Sequence, residues 1–178
     1  MSMKNWLILF VRTGNENNLM AVLKEKLNPY EYLPFVPLVE TSFRKSGVVQ
    51  KIKKPLFPGY LFIQTKVESD LIADKLSIAL KGIKSIYSLL CYGCDKKDVV
   101  MRESERSYWE CLLGTEFCIT ASAGFIENER IRVTSGALTG LEGSIKRIDR
   151  HKRQAIVEME MMGAKREVAL MLEIISVV

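Results

Sequence analysis

The stretch Phe57-Pro58-Gly59-Tyr60-Leu61-Phe62-Ile63 constrains the fold of this chain more than any other. Pro58 fixes its own φ and donates no backbone hydrogen bond, and Gly59 can take backbone angles closed to other residues. The pair predicts a sharp turn, and the dense apolar run behind it predicts a buried strand over 60–65. Just upstream lies Lys53-Lys54-Pro55-Leu56, a basic lead-in that a core strand does not need.

A buried strand needs neighbours. Trp6 to Val11 is an unbroken apolar run of strand length, expected at the centre of a sheet covered on both faces. Arg12 to Asn15 ends it, with Asn15 as the expected N-cap and Glu16 as a first-turn acid. Leu19, Leu23 and Leu27 then mark one helix face, which Asn28-Pro29 stops. Residues 32–40 form a second extended segment, confined to an edge by Pro34 and Pro37. After the 60–65 strand, Ser69 and Asp70 start a second helix with an apolar face of Ile72, Leu76, Ala79 and Leu80. A short strand over 86–90 follows. The order is β-α-β-β-α-β, the ferredoxin-like pattern. Ser104 is the expected cap of a further helix through Leu113.

From 114 to 124 periodicity is lost, and Thr, Ala, Ser and Gly dominate around a short strand expected over 117–119. Beyond it, alternation in 130–133, 144–149, 155–161, 166–170 and 173–177 is broken by glycine turns, which predicts a small β-barrel. The expected class is α+β, with a first domain over 1–114, a linker over 115–123 and a barrel over 124–178.

With 178 residues and 48% apolar content the chain can bury a proper core, which excludes a disordered chain. No apolar run reaches the length of a membrane span and no signal-peptide pattern opens the sequence, so a cytoplasmic setting with reduced thiols is expected. Cys91-Tyr92-Gly93-Cys94 has the spacing of a half zinc site or a redox motif. Cys111 and Cys118 do not form the second close pair of a four-thiolate site, and no helix signal follows Cys91 to acidify it. No metal and no cofactor are expected. Nor is an enzyme: there is no nucleophile–base signature, no phosphate-binding glycine loop, and a single histidine.

The net charge of +5 permits a nucleic-acid partner without requiring one. Two concentrations of charge stand out. Arg44, Lys45, Lys51, Lys53 and Lys54 lie around Ser46-Gly47 with no acid among them, reading as a projecting basic hairpin. It is a candidate nucleic-acid contact, although a solvated loop of this composition needs no function. The second is Lys146-Arg147-Ile148-Asp149-Arg150-His151-Lys152-Arg153, with Lys165-Arg166 further along. Residues 119–178 hold nine basic and eight acidic side chains, so the positive charge there is local. A focused patch on a barrel suits phosphate recognition, with Arg offering bidentate contacts.

The motif over 57–63 followed by Gly140-Leu141-Glu142-Gly143-Ser144-Ile145 resembles the NusG family of transcription elongation factors, from Trp6 to the end of the chain. The first domain looks like the NusG N-terminal (NGN) domain and the second like a KOW domain, which implies a ferredoxin-like fold and an SH3-like five-stranded barrel. The resemblance also implies docking of the NGN domain on the clamp helices of RNA polymerase through an apolar depression. Trp6, Phe57, Pro58, Gly59, Tyr60, Ile86 and Tyr87 match that contact region. Gly136-Ala137-Leu138 and Leu141 stand where general members carry Gly-Pro-Phe and a later aromatic, so the resemblance leaves their partnerships with Rho and a small-subunit ribosomal protein open. The His-Thr-Thr-type element of RfaH has no counterpart near Ala73-Asp74-Lys75.

The string from Gly140 to Arg153 resembles the LoaP branch of NusG paralogues. That implies an operon-specific antiterminator, expected as a monomer, that recognises an RNA hairpin in a nascent leader. Its RNA-binding candidates are Lys146, Arg147, Arg150, His151, Lys152, Arg153, Lys165 and Arg166, with non-template DNA as a further candidate partner. The alternative is a general elongation factor coupling polymerase to the ribosome or Rho without RNA selectivity.

Overall fold

The computed structural model describes residues 3–45, 48–93, 95–128 and 130–177; at 44, 45, 48, 49, 176 and 177 the backbone alone is described. The first apolar run is strand β1 (Asn5–Val11), followed by helix α1 (Glu16–Lys26) and strand β2 (Tyr32–Phe35). Strands β3 (Leu38–Lys45) and β4 (Val48–Pro55) form an antiparallel hairpin. The extended segment expected over 32–40 is thus two strands: Pro37 lacks an amide for the ladder, and β3 pairs elsewhere. Next come β5 (Tyr60–Thr65), α2 (Ser69–Leu80), β6 (Ile86–Leu89), α3 (Glu103–Leu113) and β7 (Cys118–Ile119).

By compactness the chain divides into two units that interleave in sequence: Met1–Pro37 with Phe57–Arg106, and Leu38–Leu56 with Ser107–Val178. In the first unit the sheet order is β2-β5-β1-β6, with every neighbouring pair antiparallel. That is the ferredoxin-like topology expected from the element order. Leu7, Ile8, Leu9, Leu61, Phe62 and Ile63 are all fully buried. Consecutive residues of one strand point to opposite faces, so both faces of the central pair are covered. Leu19 and Leu23 of α1 and Ile72 and Leu76 of α2 are buried in the same unit. Each such side chain contributes about 1.5–3 kcal/mol.

The second unit contains a five-stranded sheet built from β8 (Ser122–Glu127), β9 (Arg130–Ser135), β10 (Ile145–Asp149), β11 (Gln154–Met161) and β12 (Ala164–Val177). Its order is β10-β11-β12-β8-β9. The alternating segments expected over 166–170 and 173–177 are one long strand. Its first part pairs with β11 and its last part runs parallel to β8, so β12 joins the two ends of the sheet. Strand β8 begins inside the stretch read as unpatterned, because its inward positions are Ser122, Gly124 and Ile126. Gly124 counts among the residues of that unpatterned stretch, yet its role is close approach: a Cβ there would stand 2.3 Å from the Arg132 carbonyl oxygen.

The β3–β4 hairpin belongs to this second unit. Strand β7 pairs parallel to β3, and the Ala121 amide donates to Glu40 Oε2 at 2.9 Å. The indole N–H of the buried Trp109 on α3 donates to the Glu160 carbonyl at 3.0 Å.

Cys91 is half-buried, Cys111 exposed and Cys118 buried. Burial pushes the Cys118 thiol up, against the opposing charge of Lys53. Cys94 lies outside the described residues, and so does the Cys91–Cys94 spacing as a geometry. Among the described residues no group of His, Cys, Asp and Glu is placed to hold a metal ion, and no helix is long and apolar enough to cross a membrane.

Candidate functional site

The turn at Pro58-Gly59 positions a row of aromatic rings across three strands of the first unit. Cross-strand pairing sets Phe10 of β1 opposite Tyr60 of β5 and Ser88 of β6. The Phe10 ring lies 5.5 Å from Tyr60 and 5.3 Å from Tyr87, and Phe57 lies 6.3 Å from Tyr60. Tyr87 is 59% exposed and Phe10 37%, an opening that no other residue of the apolar run from Trp6 to Val11 shares. Pro58 is exposed beside them, Gly59 is buried, and Ile86 is half-buried.

Trp6 does not join this row. It is 1% exposed, with its ring edge-on to Phe35 at 5.3 Å and Phe62 at 6.3 Å. Its expected place in a surface contact is corrected to the core: a ring enclosed in this way cannot meet a partner without unfolding its own sheet. The residue the sequence did not single out is Phe10. An unbroken apolar run carries no sign of which member sits where covering ends.

Glu16 holds the turn. Its Oε1 accepts the Gly59 amide at 2.6 Å and the Gly14 amide at 3.1 Å. The Gly59 carbonyl in turn accepts the Val11 amide at 2.8 Å. Gly59 has φ +87°, and a Cβ would meet Thr13 Oγ1 at 3.0 Å, so no other residue fits the turn without strain. Burial pushes the Glu16 carboxyl up, but the amides of Gly59, Glu16 itself and Gly14 outweigh it and hold the group below its ordinary value. The sequence offered Glu16 only as a first-turn charge; its partner is 43 residues away.

The hairpin divides its lysines. Register places Lys51 opposite Ser42 and Lys53 opposite Glu40, on one face. Lys54 lies opposite Val39, on the other face with Ile52 and Phe43. The Arg44 and Lys45 side chains, and the Ser46-Gly47 turn, lie outside the described residues.

Within the barrel, residues 150–153 join β10 to β11. The Lys152 amide donates to Asp149 Oδ1 at 2.9 Å, the Arg153 amide donates to the Arg150 carbonyl at 3.3 Å, and Arg153 takes a left-handed φ of 53°. Asp149, the one acid in the stretch, therefore builds the loop. Arg147, Arg150, His151 and Lys152 line a depression of about 570 Å³ with Gln154 and Ile156. Arg147 and Arg150 make no ion pair among the described residues, while Lys152 lies 3.9 Å from Asp149 and Arg153 3.3 Å from Glu173.

The other candidates stand apart. Lys146 and Lys165 both pair with Glu158, at 3.5 and 3.0 Å. Their hydrogen bonds and charges, Lys165 first, outweigh desolvation and hold the Glu158 carboxyl below its usual range; the Lys165 ammonium is raised in return. Glu158 lies four residues along β11 from Gln154, about 13 Å at strand spacing. Arg166 pairs with the buried Met159, which puts it on the opposite face of the sheet from Lys165. Among the eight, then, Arg147, Arg150, His151, Lys152 and Arg153 gather at one end. The Gly136-Ala137-Leu138 loop presents no aromatic, and Leu138 is fully buried, its amide donating to Ser122 Oγ at 3.0 Å.

These features define a class: a two-unit α+β protein with an aromatic edge on a ferredoxin-like sheet and a basic loop on a five-stranded barrel. The family model described as NusG, transcription termination factor nusG, matches residues 4–108, and the chain belongs to the NusG family. The transcription termination/antitermination protein NusG of Thermus thermophilus is 25% identical over 174 residues, which cover 93% of this chain and 94% of that protein. The protein of the same name from Bacillus subtilis is 23% identical over 173 residues, covering 94% of each. The likeness therefore extends through both units. Among solved structures, a chain from the crystal structure of the MjSpt4:Spt5 complex, conformation B, is similar at a TM-score of 0.32 and 13% identity, covering 92% of this chain and 97% of that one.

Proposed function

We propose that this NusG-family protein is an operon-specific elongation and antitermination factor of LoaP type. In this reading residues 1–114 form the polymerase-binding domain, 115–123 the linker and 124–178 the RNA-binding barrel. The row Phe57, Tyr60, Phe10 and Tyr87, with Pro58 and Ile86 beside it, docks on the clamp helices of RNA polymerase. Partly exposed aromatic rings on a rigid sheet supply apolar area at low entropic cost, which suits a helix partner. The loop of the barrel holds a structured RNA in the nascent leader, and the protein, a cytoplasmic monomer, acts by tethering and positioning.

One observation carries the specialised reading: Arg147 near the end of β10 and Arg150 on the loop that Asp149 shapes are free of ion pairs among the described residues, beside His151 and Lys152. Guanidinium groups without ion pairs, on a strand end and the fixed turn that follows it, are prepared for phosphate, and Arg takes phosphate in bidentate fashion. The 136–138 loop adds support from the other side, since a buried Leu138 offers a ribosomal or termination partner no ring. Transcription in vitro through an intrinsic terminator, with and without the leader RNA of the protein's own transcription unit, tests the reading. Readthrough that depends on the leader supports it. Readthrough equal on any template returns the protein to the general role that the name of its relatives describes.

A further inference from the structure

We infer that strand β4 of the hairpin and the 150–153 loop are two walls of one groove that holds a single RNA strand by its phosphates; the inference rests on the RNA-binding reading above. Ser42 and Lys51, paired across the hairpin, line one cavity of about 560 Å³ together with His151, Lys152 and Arg153. The walls are fixed to each other within the second unit, since Glu40 accepts the Ala121 amide and β7 pairs with β3. His151 and Lys152 line both this groove and the depression beside Arg147 and Arg150. An RNA stem seated on the loop therefore has a basic path for the strand that leaves it.

The lining sets the chemistry. Lys51, Lys152 and Arg153 are cationic, and Glu173 is the one acid among the described residues of the lining, already bound to Arg153. Among the described residues lining the groove there is no Phe, Tyr or Trp and the His151 imidazole is the one ring, so stacking is limited to a single base and the backbone is the main feature held. Binding there is tolerant of sequence and sensitive to salt. Glu173 opposes the ligand: a phosphate must compete with it for Arg153.

Fluorescence anisotropy with two probes separates the groove from the loop: the protein's own leader RNA with its single-stranded flank, and the same RNA trimmed to the stem. Lys51→Glu is expected to weaken the flanked RNA about tenfold and to lower its salt slope by about one, with the trimmed RNA unchanged. Glu173→Gln is expected to tighten the flanked RNA about threefold. Both side chains are exposed, and unchanged thermal melting confirms that each variant folds. If Arg150→Glu weakens both probes while Lys51→Glu weakens neither, the groove is overturned and the loop remains the RNA site. If neither substitution changes affinity, the groove and the RNA-binding reading fall together.

Discussion

The aromatic edge of the first unit and the basic loop of the second are surfaces made by opposite means. The edge is the rim of a core: Phe10 is open and Tyr60 half-buried while Leu9 and Leu61 beside them are fully buried, and Glu16 fixes the turn from within. The loop owes little to the core. Asp149 and the left-handed Arg153 shape it locally, and its charges stand in solvent. A core-bound surface therefore couples docking to stability, whereas a solvent-borne one leaves stability aside and answers to ionic strength.

The contrast can be broken first at the tryptophan. Trp6→Ala is expected to cost about 3–5 kcal/mol, by loss of a fully buried ring between Phe35 and Phe62. Chemical denaturation measures it; a cost near zero would return Trp6 to the surface.

Glu16→Ala comes next, at about 2–3 kcal/mol, since it strands the Gly59 and Gly14 amides. Because the folded carboxyl lies below its ordinary value of 4.5, its contribution is complete above that pH and is lost as pH falls through the depressed folded value. Stability curves of the native protein and Glu16→Gln should therefore converge on acidification. Parallel curves would deny the carboxylate its role.

On the loop, reversing Arg147, Arg150 and Lys152 together should cut leader-RNA affinity more than tenfold and reduce the salt slope by about three, with stability within about 0.5 kcal/mol of native. Polymerase binding should survive in that variant and fall in Phe10→Ala/Tyr87→Ala, which in turn keeps its RNA affinity. Failure of that reciprocity in pull-down and anisotropy would merge the two surfaces into one. The smallest effect is expected from Glu158→Gln. It releases Lys146 and Lys165 from an exposed ion pair, so RNA affinity should rise slightly and the melting temperature should hardly move.

Much of the fold was legible. The turn at Pro58-Gly59, the strand over 60–65 and both helix faces are local patterns of period two or 3.6, and each appears where its pattern lies. Strand β8 was not, because Ser122 and Gly124 replace the apolar half of its alternation. Within the candidate sites the residue types were legible and their grouping was not. Alternation separates Lys51 from Lys54, and strand register separates Arg166 from Lys165.

The sequence by itself determined the β-α-β-β-α-β order of the first unit's sheet, the turn that opens β5 and the charge of the loop after β10, because hydrophobic period and turn chemistry are encoded within a few residues. Only the tertiary structure decided that Trp6 is enclosed while Phe10 is open, that Glu16 braces a turn 43 residues away, and that a hairpin from the first third of the chain shares a groove with the barrel. Burial and register are settled between segments far apart in sequence, where no local pattern records which of them will meet.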